Sequence, residues 1–570
     1  MFLKTENILH TLSLMIFHKQ NHIATDCLLI LFITAVIYLP LLGIPAWDGN
    51  EPIRVIIAKG MLEKGNWMIP LLHGNPYFTK PPLMNWLIAA SGSLFGMVNE
   101  WTSRLPSVVV VFLTGISVYF LTSRWLSREG SLLASISTLS MVELIAKGRT
   151  AEIDSLFIFL VVLILLVWIN GYARQWKPAV LWGISLTLTG IGFLAKGPQL
   201  IAYFYLTVFG YLLVKKRLRF FFSLSHVLGI LCFLLVLVIY LSFILQWVPF
   251  DKYMKMWISQ ITERAETKHS LSFLGHLVSY PFEAVFSFLP YTLLLLPLVI
   301  YRDLRRTAKE VLANEILVFS LIMIIINFPL YWLLPNARFR YFLPAGPFVA
   351  IATAVLFEFY LRRASEQYDI TSFFHRFLKI LALTSFISVL AVIPLIWYLK
   401  LQFTLSLLLF VSILIFLAVY IRARLYAIPF KRIPVILALL TGFFYLTYTA
   451  IDVQSEAKKD NNPKTIAQEI NRLLPQDTQT VYEIGYRRFL GVMCYLNKNV
   501  IQINTFSDLK TLKNQGADVY FLFDTKFLEK RPDNEKKILS EDIQWEKVYS
   551  KYFTESRGEI VLARMKMAKG

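Results

Sequence analysis

Acidic residues are scarce in this chain. Asp and Glu number 37 against 57 Lys and Arg, for a formal net charge of +20, and the four charged types make up only 16% of the 570 residues. A soluble domain has about a quarter of its residues charged. So little charge beside 56% hydrophobic residues excludes an ordinary soluble domain and indicates a polytopic, α-helical membrane protein. In that class the basic excess reads as membrane topology and attraction to anionic headgroups, not as a nucleic-acid surface. Cysteine is nearly absent. Cys27 and Cys232 lie in apolar runs and Cys494 stands alone, so neither a disulfide framework nor a cysteine-based metal site is indicated. No small-residue cleavage site follows the first apolar run, so 27–45 is expected to be a retained signal anchor. The tail carries no glycine-rich phosphate loop.

What is abundant is apolar sequence. Runs near 27–45, 105–122, 131–146, 155–170, 179–195, 198–214, 225–247, 281–300, 314–334, 342–361, 378–398, 402–421 and 433–450 give about thirteen spans, at ~20 residues per crossing. Alternate loops differ in charge. One set holds Arg124 and Arg128, Arg174 and Lys177, Lys215 to Arg219, Arg302 to Arg306, Arg362 and Arg363, and Arg422 to Arg432; the other holds Asp48, Glu51, Glu63, Glu152, Asp154, Asp251, Glu263 and Glu266. The positive-inside rule puts the first set in the cytoplasm. The register holds only if 82–97, a short run opened by Pro81 and Pro82, lies at the interface without crossing. The expected organisation is a membrane domain over 1–450, with a first external loop over 46–104, and a small external α/β domain over 451–570. In that tail "TVYEI", "VIQIN" and "DVYFLF" read as strands, and "PKTIAQEINRLL" and "FSDLKTLKNQ" as helices.

Polar stations gather on the outer side of this topology. "WDGNEPIRV" presents Asp48, Asn50 and Glu51; "GNPYFTKPPL" presents Tyr77 and Lys80 on a backbone stiffened by proline. "KGRTAEID" carries Lys147, Arg149, Glu152 and Asp154, and "LAKGPQ" carries Lys196. The long loop 248–280 has His269 and His276, and "NARFRYFLPAGP" has Arg338, Arg340 and Tyr341. Lys or Arg at a helix end is commonly a snorkelling anchor, and His269 and His276 lack the spacing of a metal pair. Carboxylates at the edge of hydrocarbon are costly and tend to be functional. Several acids and cations on one face suit an anionic, lipid-borne substrate, with cations holding a phosphate and a carboxylate handling a proton.

The stretches "EPIRVIIAKGMLEKGNWMIPLLHGNPYFTKPPLMNWL", "FGMVNEWTSRLPS", "GRTAEIDSLFIF", "FLAKGP" and "RFRYFLPAGP", in that order over roughly 27–360, resemble the bacterial aminoarabinose transferase and protein O-mannosyltransferase family. The resemblance implies a GT-C-type glycosyltransferase of the bacterial inner membrane. It would move a sugar from undecaprenyl phosphate, with inversion, to an acceptor at the periplasmic face such as lipid A or another envelope glycolipid. The family's acidic pair falls on Asn50 and Glu51, with Asp48 close by, and its second-loop acid on Asp154. Its phosphate-binding lysine falls on Lys80 and its basic-aromatic motif on Arg338, Arg340 and Tyr341. Arg149 and Lys196 are further candidates for the donor phosphate, and Tyr77 and His269 for substrate.

The resemblance breaks at Asn50, where the family has a catalytic Asp, because an amide cannot act as a general base. Three readings follow: Asp48 reaches the same space, Glu51 takes over, or no strong base is needed. The third suits a lipid A phosphate acceptor, which is already ionised near neutral pH, whereas a protein hydroxyl needs its proton removed. No cofactor is expected. The separated carboxylates could hold a divalent cation, but Lys80 and the arginines neutralise a phosphate without one. A lipid-linked sugar transporter is the alternative from another class, but no internal repeat or mid-span charge cluster supports it, and a non-catalytic polyprenyl-lipid binder is a third. The topology has a direct test. Reporter fusions after Leu126 and Arg217 should read as cytoplasmic and one after Ile451 as external; an external signal after Leu126 overturns the register.

Overall fold

The computed structural model describes residues 22–255, 258, 270–300, 308–334 and 337–364, scattered positions between 376 and 387, 436–449 apart from 437 and 443, and most of 462–565. The runs expected at 378–398 and 402–421 lie outside the described residues almost entirely. The chain forms two compact units: one takes residues 1–42, 79–81 and 107–450, the other 43–78, 82–106 and 451–570.

The first unit is helical. Among the described residues of the chain, six helices are long and apolar enough to cross a membrane: Glu100–Thr122, Asp154–Ala173, Pro178–Lys196, Leu224–Ile244, Glu315–Trp332 and Leu343–Tyr360. Shorter apolar helices cover His22–Tyr38 and Gln199–Val214. The protein is therefore a multi-pass membrane protein. Asp154–Ala173 is apolar all round and 72% buried, and Leu343–Tyr360 is 89% buried, so both are interior helices of the unit. Leu224–Ile244 is more apolar still but only 17% buried, which suits a helix that faces lipid.

Two expected spans are broken. Within 131–146, Arg128–Leu139 and Val142–Gly148 meet at 63°, and Phe273–Ser287 and Tyr291–Ile300 meet at 94° where 281–300 was expected to run straight. A break inside a membrane must re-satisfy its freed backbone groups, and here the two breaks do this for each other. The Val142 N–H donates to Leu289 O at 3.1 Å, and the Ser140 hydroxyl lies 2.7 Å from the Tyr291 hydroxyl. Pro290, which has no N–H to donate, interrupts the second helix.

Helix packing beside the first break is close. A Cβ on Gly148 would fall 2.4 Å from Tyr38 Cε1 and 2.8 Å from Val111 Cγ2. One residue on, the Arg149 guanidinium donates to the carbonyls of Ile37, Tyr38 and Pro40 at 2.9, 2.9 and 2.6 Å, capping the end of His22–Tyr38.

The second unit joins the first loop to the tail. Glu51–Lys64 forms a helix with Pro52 in its first turn. A two-residue hairpin pairs Leu71–Leu72 with Asn75–Pro76, and Leu83–Phe95 is a 13-residue helix, about 20 Å long and too short to cross a ~30 Å core. The tail folds as a five-stranded sheet in the order Asn499–Ile503, Thr480–Ile484, Val519–Asp524, Gly558–Met565, Trp545–Phe553. The first three strands are parallel and the last two join antiparallel. Pro463–Leu473, capped by the Asn462 side chain, packs Ile466 and Ile470 with Val481, Leu522 and Leu562 in one core.

Loop and tail are stitched by specific contacts. Trp47 stacks on Tyr495 at 4.7 Å and its backbone N–H donates to the Tyr495 hydroxyl. Lys464 pairs with Glu100, the Lys59 ammonium donates to Cys494 O at 2.9 Å, and His73 Nδ1 lies 2.6 Å from Glu483 Oε2, with both side chains buried.

The close approach at Gly148 predicts that Gly148→Ala destabilises the protein by about 1–3 kcal/mol through overpacking, seen as a lower unfolding midpoint in detergent. An unchanged midpoint would show that the helices separate freely there.

Candidate functional site

In the helical unit the polar stations converge on a chain of charges. Asp154 opens its helix and Lys196 closes the neighbouring one, so each sits at the end where the helix dipole favours its sign. The helices are antiparallel neighbours, which brings Lys196 Nζ to 2.6 Å from Asp154 Oδ1, both side chains being under 8% exposed. The ammonium also lies over the rings of Phe157 at 4.4 Å and Tyr341 at 5.3 Å. Arg340 reaches both acids, Nη1 being 3.5 Å from Glu152 Oε1 and 3.9 Å from Asp154 Oδ2. Lys147 closes the chain, 3.1 Å from Glu152 Oε2, with Glu143 one helical turn before it.

Arg340 sits on the turn Phe339–Tyr341, and that turn is held firmly. Tyr341 O accepts from the Tyr203 hydroxyl at 2.8 Å and from the Gln199 amide at 3.5 Å. Burial opposes the charge of Arg340, but the Asp154 and Glu152 carboxylates outweigh it and hold the guanidinium above its usual range. Arg340 keeps about a fifth of its side chain exposed, while its Nε, which makes no hydrogen bond among the described residues, is itself buried. It stays charged and is fixed in place. Lys196 differs, since it is enclosed by Asp154 and two rings. Arg338 is exposed at the head of the turn, and Thr79–Pro81, with half-buried Lys80, belong to the same unit. Arg149 is given over to backbone carbonyls, as described above. His269 lies outside the described residues.

The second unit holds the acidic stretch. Glu51 takes Arg104 in a two-pronged pair, with Nε to Oε1 at 2.7 Å and Nη2 to Oε2 at 2.8 Å, and both side chains are 3% exposed. Arg104 also donates to Pro45 O and Ala46 O at 3.0 Å each, and the Asp48 N–H donates to Glu51 Oε2 at 3.1 Å. Glu51 thus clamps the chain entering its helix. Asp48 is exposed, one carboxylate oxygen accepting from the Gly49 N–H. Asn50 is the half-buried residue before the helix, and its side chain does not cap it. Tyr77 is buried, its ring under the Arg54 guanidinium at 5.5 Å, while Arg54 donates to Asn85 at 3.2 Å.

Sequence reasoning did not assign Arg104, which holds Glu51, or Phe157, which covers Lys196. Arg104 had a signal: it is a basic residue on the side the positive-inside rule leaves poor in them, just before an apolar run. Phe157 had none, being one aromatic among many in an apolar helix.

Comparison with known proteins agrees with this architecture. The crystal structure of ArnT from Cupriavidus metallidurans bound to undecaprenyl phosphate superposes with a TM-score of 0.71 at 16% identity, over 94% of this chain and 97% of that one; its apo form gives 0.68. The fold is thus that of the GT-C-type membrane transferases. In sequence, the family described as dolichyl-phosphate-mannose-protein mannosyltransferase matches residues 79–243. An undecaprenyl phosphate-alpha-4-amino-4-deoxy-L-arabinose arabinosyl transferase of Yersinia enterocolitica is 30% identical over 195 residues, 34% of this chain and 35% of the relative. An uncharacterized protein of Aquifex aeolicus is 27% identical over 334 residues, 57% of this chain and 63% of the relative. The chain is similar to the GT-C-type aminoarabinose and mannosyl transferases, in sequence over residues 79–243 and in fold over most of its length. Its matches span between about a third and just under two thirds of these curated relatives' lengths.

The buried pair predicts a double-mutant cycle. Lys196→Met or Asp154→Asn alone should cost about 3–5 kcal/mol, because each strands a buried charge, and the double change should cost clearly less than their sum. Thermal unfolding in detergent measures all three; additive losses would contradict direct coupling.

Proposed function

We propose that the protein is an inverting glycosyltransferase of the bacterial inner membrane. It moves a sugar from a polyprenyl phosphate, of the undecaprenyl type, to an envelope glycolipid such as lipid A at the periplasmic face. The observation that carries this reading is the charge chain Lys147–Glu152–Arg340–Asp154–Lys196 at the ends of apolar helices. In transfer, an acceptor oxygen attacks the anomeric carbon, the bond from that carbon to the donor phosphate oxygen breaks, and the polyprenyl phosphate leaves with one more negative charge. Fixed cations that meet this growing charge lower the barrier. Arg340, Arg338 and Lys80 are assigned to the phosphate. Asp154, with Lys196 behind it, orients Arg340, and Tyr341 walls the substrate space. Residues 451–570 form a domain for docking or acceptor handling.

Asp48 decides the acceptor class. Glu51 is occupied by Arg104, and Asn50 cannot take a proton. A phosphate acceptor arrives ionised and needs no base, so Asp48→Asn should keep the transfer rate within about tenfold of wild type. A loss of about 10²–10⁴-fold would instead mark Asp48 as a general base and favour a protein hydroxyl acceptor, a reading supported by the mannosyltransferase match over 79–243. The assay is transfer of a labelled sugar from undecaprenyl phosphate to a membrane extract. Lys80→Ala should lower it by about 2–5 kcal/mol in transition-state terms. Absence of any new glycoside from the wild-type chain, with the donor bound, would overturn the reading in favour of a binder or transporter.

A further inference from the structure

The helices that carry Asp154 and Lys196 at one end border a second polar feature at the other. A cleft of about 1200 Å³ lies among the end of Asp154–Ala173, the start of Pro178–Lys196 and the turn after Gln199–Val214, lined by Tyr172, Gln175, Trp176, Lys216, Arg217 and Arg219, with Ser223 and Ser225 at its edge. Twenty residues of helix separate Tyr172's end from Asp154's, about 30 Å at 1.5 Å per residue, or one hydrocarbon thickness. The cleft therefore opens at the opposite face of the membrane from the charge chain.

The cleft is one-sided in charge. No Asp or Glu lines it among the described residues. Lys215, the neighbouring cation, is paired with Glu315 at 3.1 Å, whereas Lys216, Arg217 and Arg219 are exposed. Its rim is fixed. Gln175 and Lys216 both adopt left-handed backbone, with φ of 54° and 56°, and the turns are closed by Trp176 N–H to Gly171 O at 2.9 Å and Arg217 N–H to Leu212 O at 2.8 Å. The Tyr172 ring sits edge-on to Phe220 at 5.4 Å, forming part of an aromatic wall. The helix that starts at the cleft's edge, Leu224–Ile244, exposes Leu224, Leu228, Leu231 and Leu235 at 76, 46, 55 and 60%. That spacing makes one apolar stripe.

We propose that this cleft binds the headgroup of an anionic phospholipid of the cytoplasmic leaflet. Lys216, Arg217 and Arg219 take the phosphate, Gln175 and Ser225 offer hydrogen bonds to the glycerol portion, and the acyl chains lie along the stripe on Leu224–Ile244. Basic pockets between helices at a cytoplasmic interface are suited to such headgroups, and each cation near an anionic surface contributes about fivefold in affinity. The site is independent of the transfer reaction and lies in the other leaflet from the sugar donor.

The test is native mass spectrometry of the full chain in neutral detergent, titrated with phosphatidylglycerol, phosphatidylcholine or inorganic phosphate. Phosphatidylglycerol should bind at least about tenfold more tightly than phosphatidylcholine, and millimolar inorganic phosphate should not displace it. Ser225→Glu adds a repelling charge without removing a topology-setting cation and should abolish the preference. The triple change Lys216→Gln, Arg217→Gln, Arg219→Gln should weaken phosphatidylglycerol binding about 100-fold. Equal binding of the two lipids by wild type, displacement by inorganic phosphate, or a preference that survives in Ser225→Glu would each overturn the proposal.

Discussion

An ionised side chain buried at the end of an apolar helix must find a counter-charge, and the site in the helical unit is built on that constraint. Asp154 begins one helix and Lys196 ends its neighbour. Burying either alone would cost several kcal/mol; brought to 2.6 Å, they neutralise each other and fix the register of the two helices. Asp154 also holds Arg340, which is held as well by Glu152. One buried pair thus supports a cation whose side chain stays about one-fifth exposed.

The same logic organises the first loop. Glu51 and Arg104 are a buried pair whose remaining donors and acceptors are satisfied by Pro45, Ala46 and the Asp48 backbone. The pair sets the path of the chain and leaves Asp48 exposed. The tail strengthens this frame through Tyr495, Lys464 and Glu483, each of which meets a residue of the loop. The loop and the tail, some 400 residues apart in sequence, fold as one body.

Much of this was legible in the sequence. Apolar runs located most helices because their length is set by the bilayer, and short apolar runs in the polar tail located the strand Thr480–Ile484 and, to within a residue, the strands Asn499–Ile503 and Val519–Asp524. Ordered motifs located the family. The breaks at Ser140 and Pro290 were not legible, because apolar composition reports burial and is blind to direction; only the partner helix reveals where the freed backbone groups go. Residue roles were legible by type but not by partner. Arg149 and Arg340 look alike in the sequence, yet one caps three carbonyls and the other faces two carboxylates. Glu51 and Asp48 likewise differ only in which of them meets an arginine. The final strands, Trp545–Phe553 and Gly558–Met565, went unassigned because their alternation is interrupted by charge.

The central claim is that the charge chain preorganises Arg340 for a lipid-linked phosphate. A cryo-electron microscopy structure of the full chain with undecaprenyl phosphate tests it most directly. The account predicts phosphate oxygens within hydrogen-bonding distance, about 3 Å, of the Arg340 guanidinium, with the Asp154–Lys196 pair intact beneath it. A phosphate bound elsewhere, with Arg340 still turned wholly to Glu152 and Asp154, would contradict it.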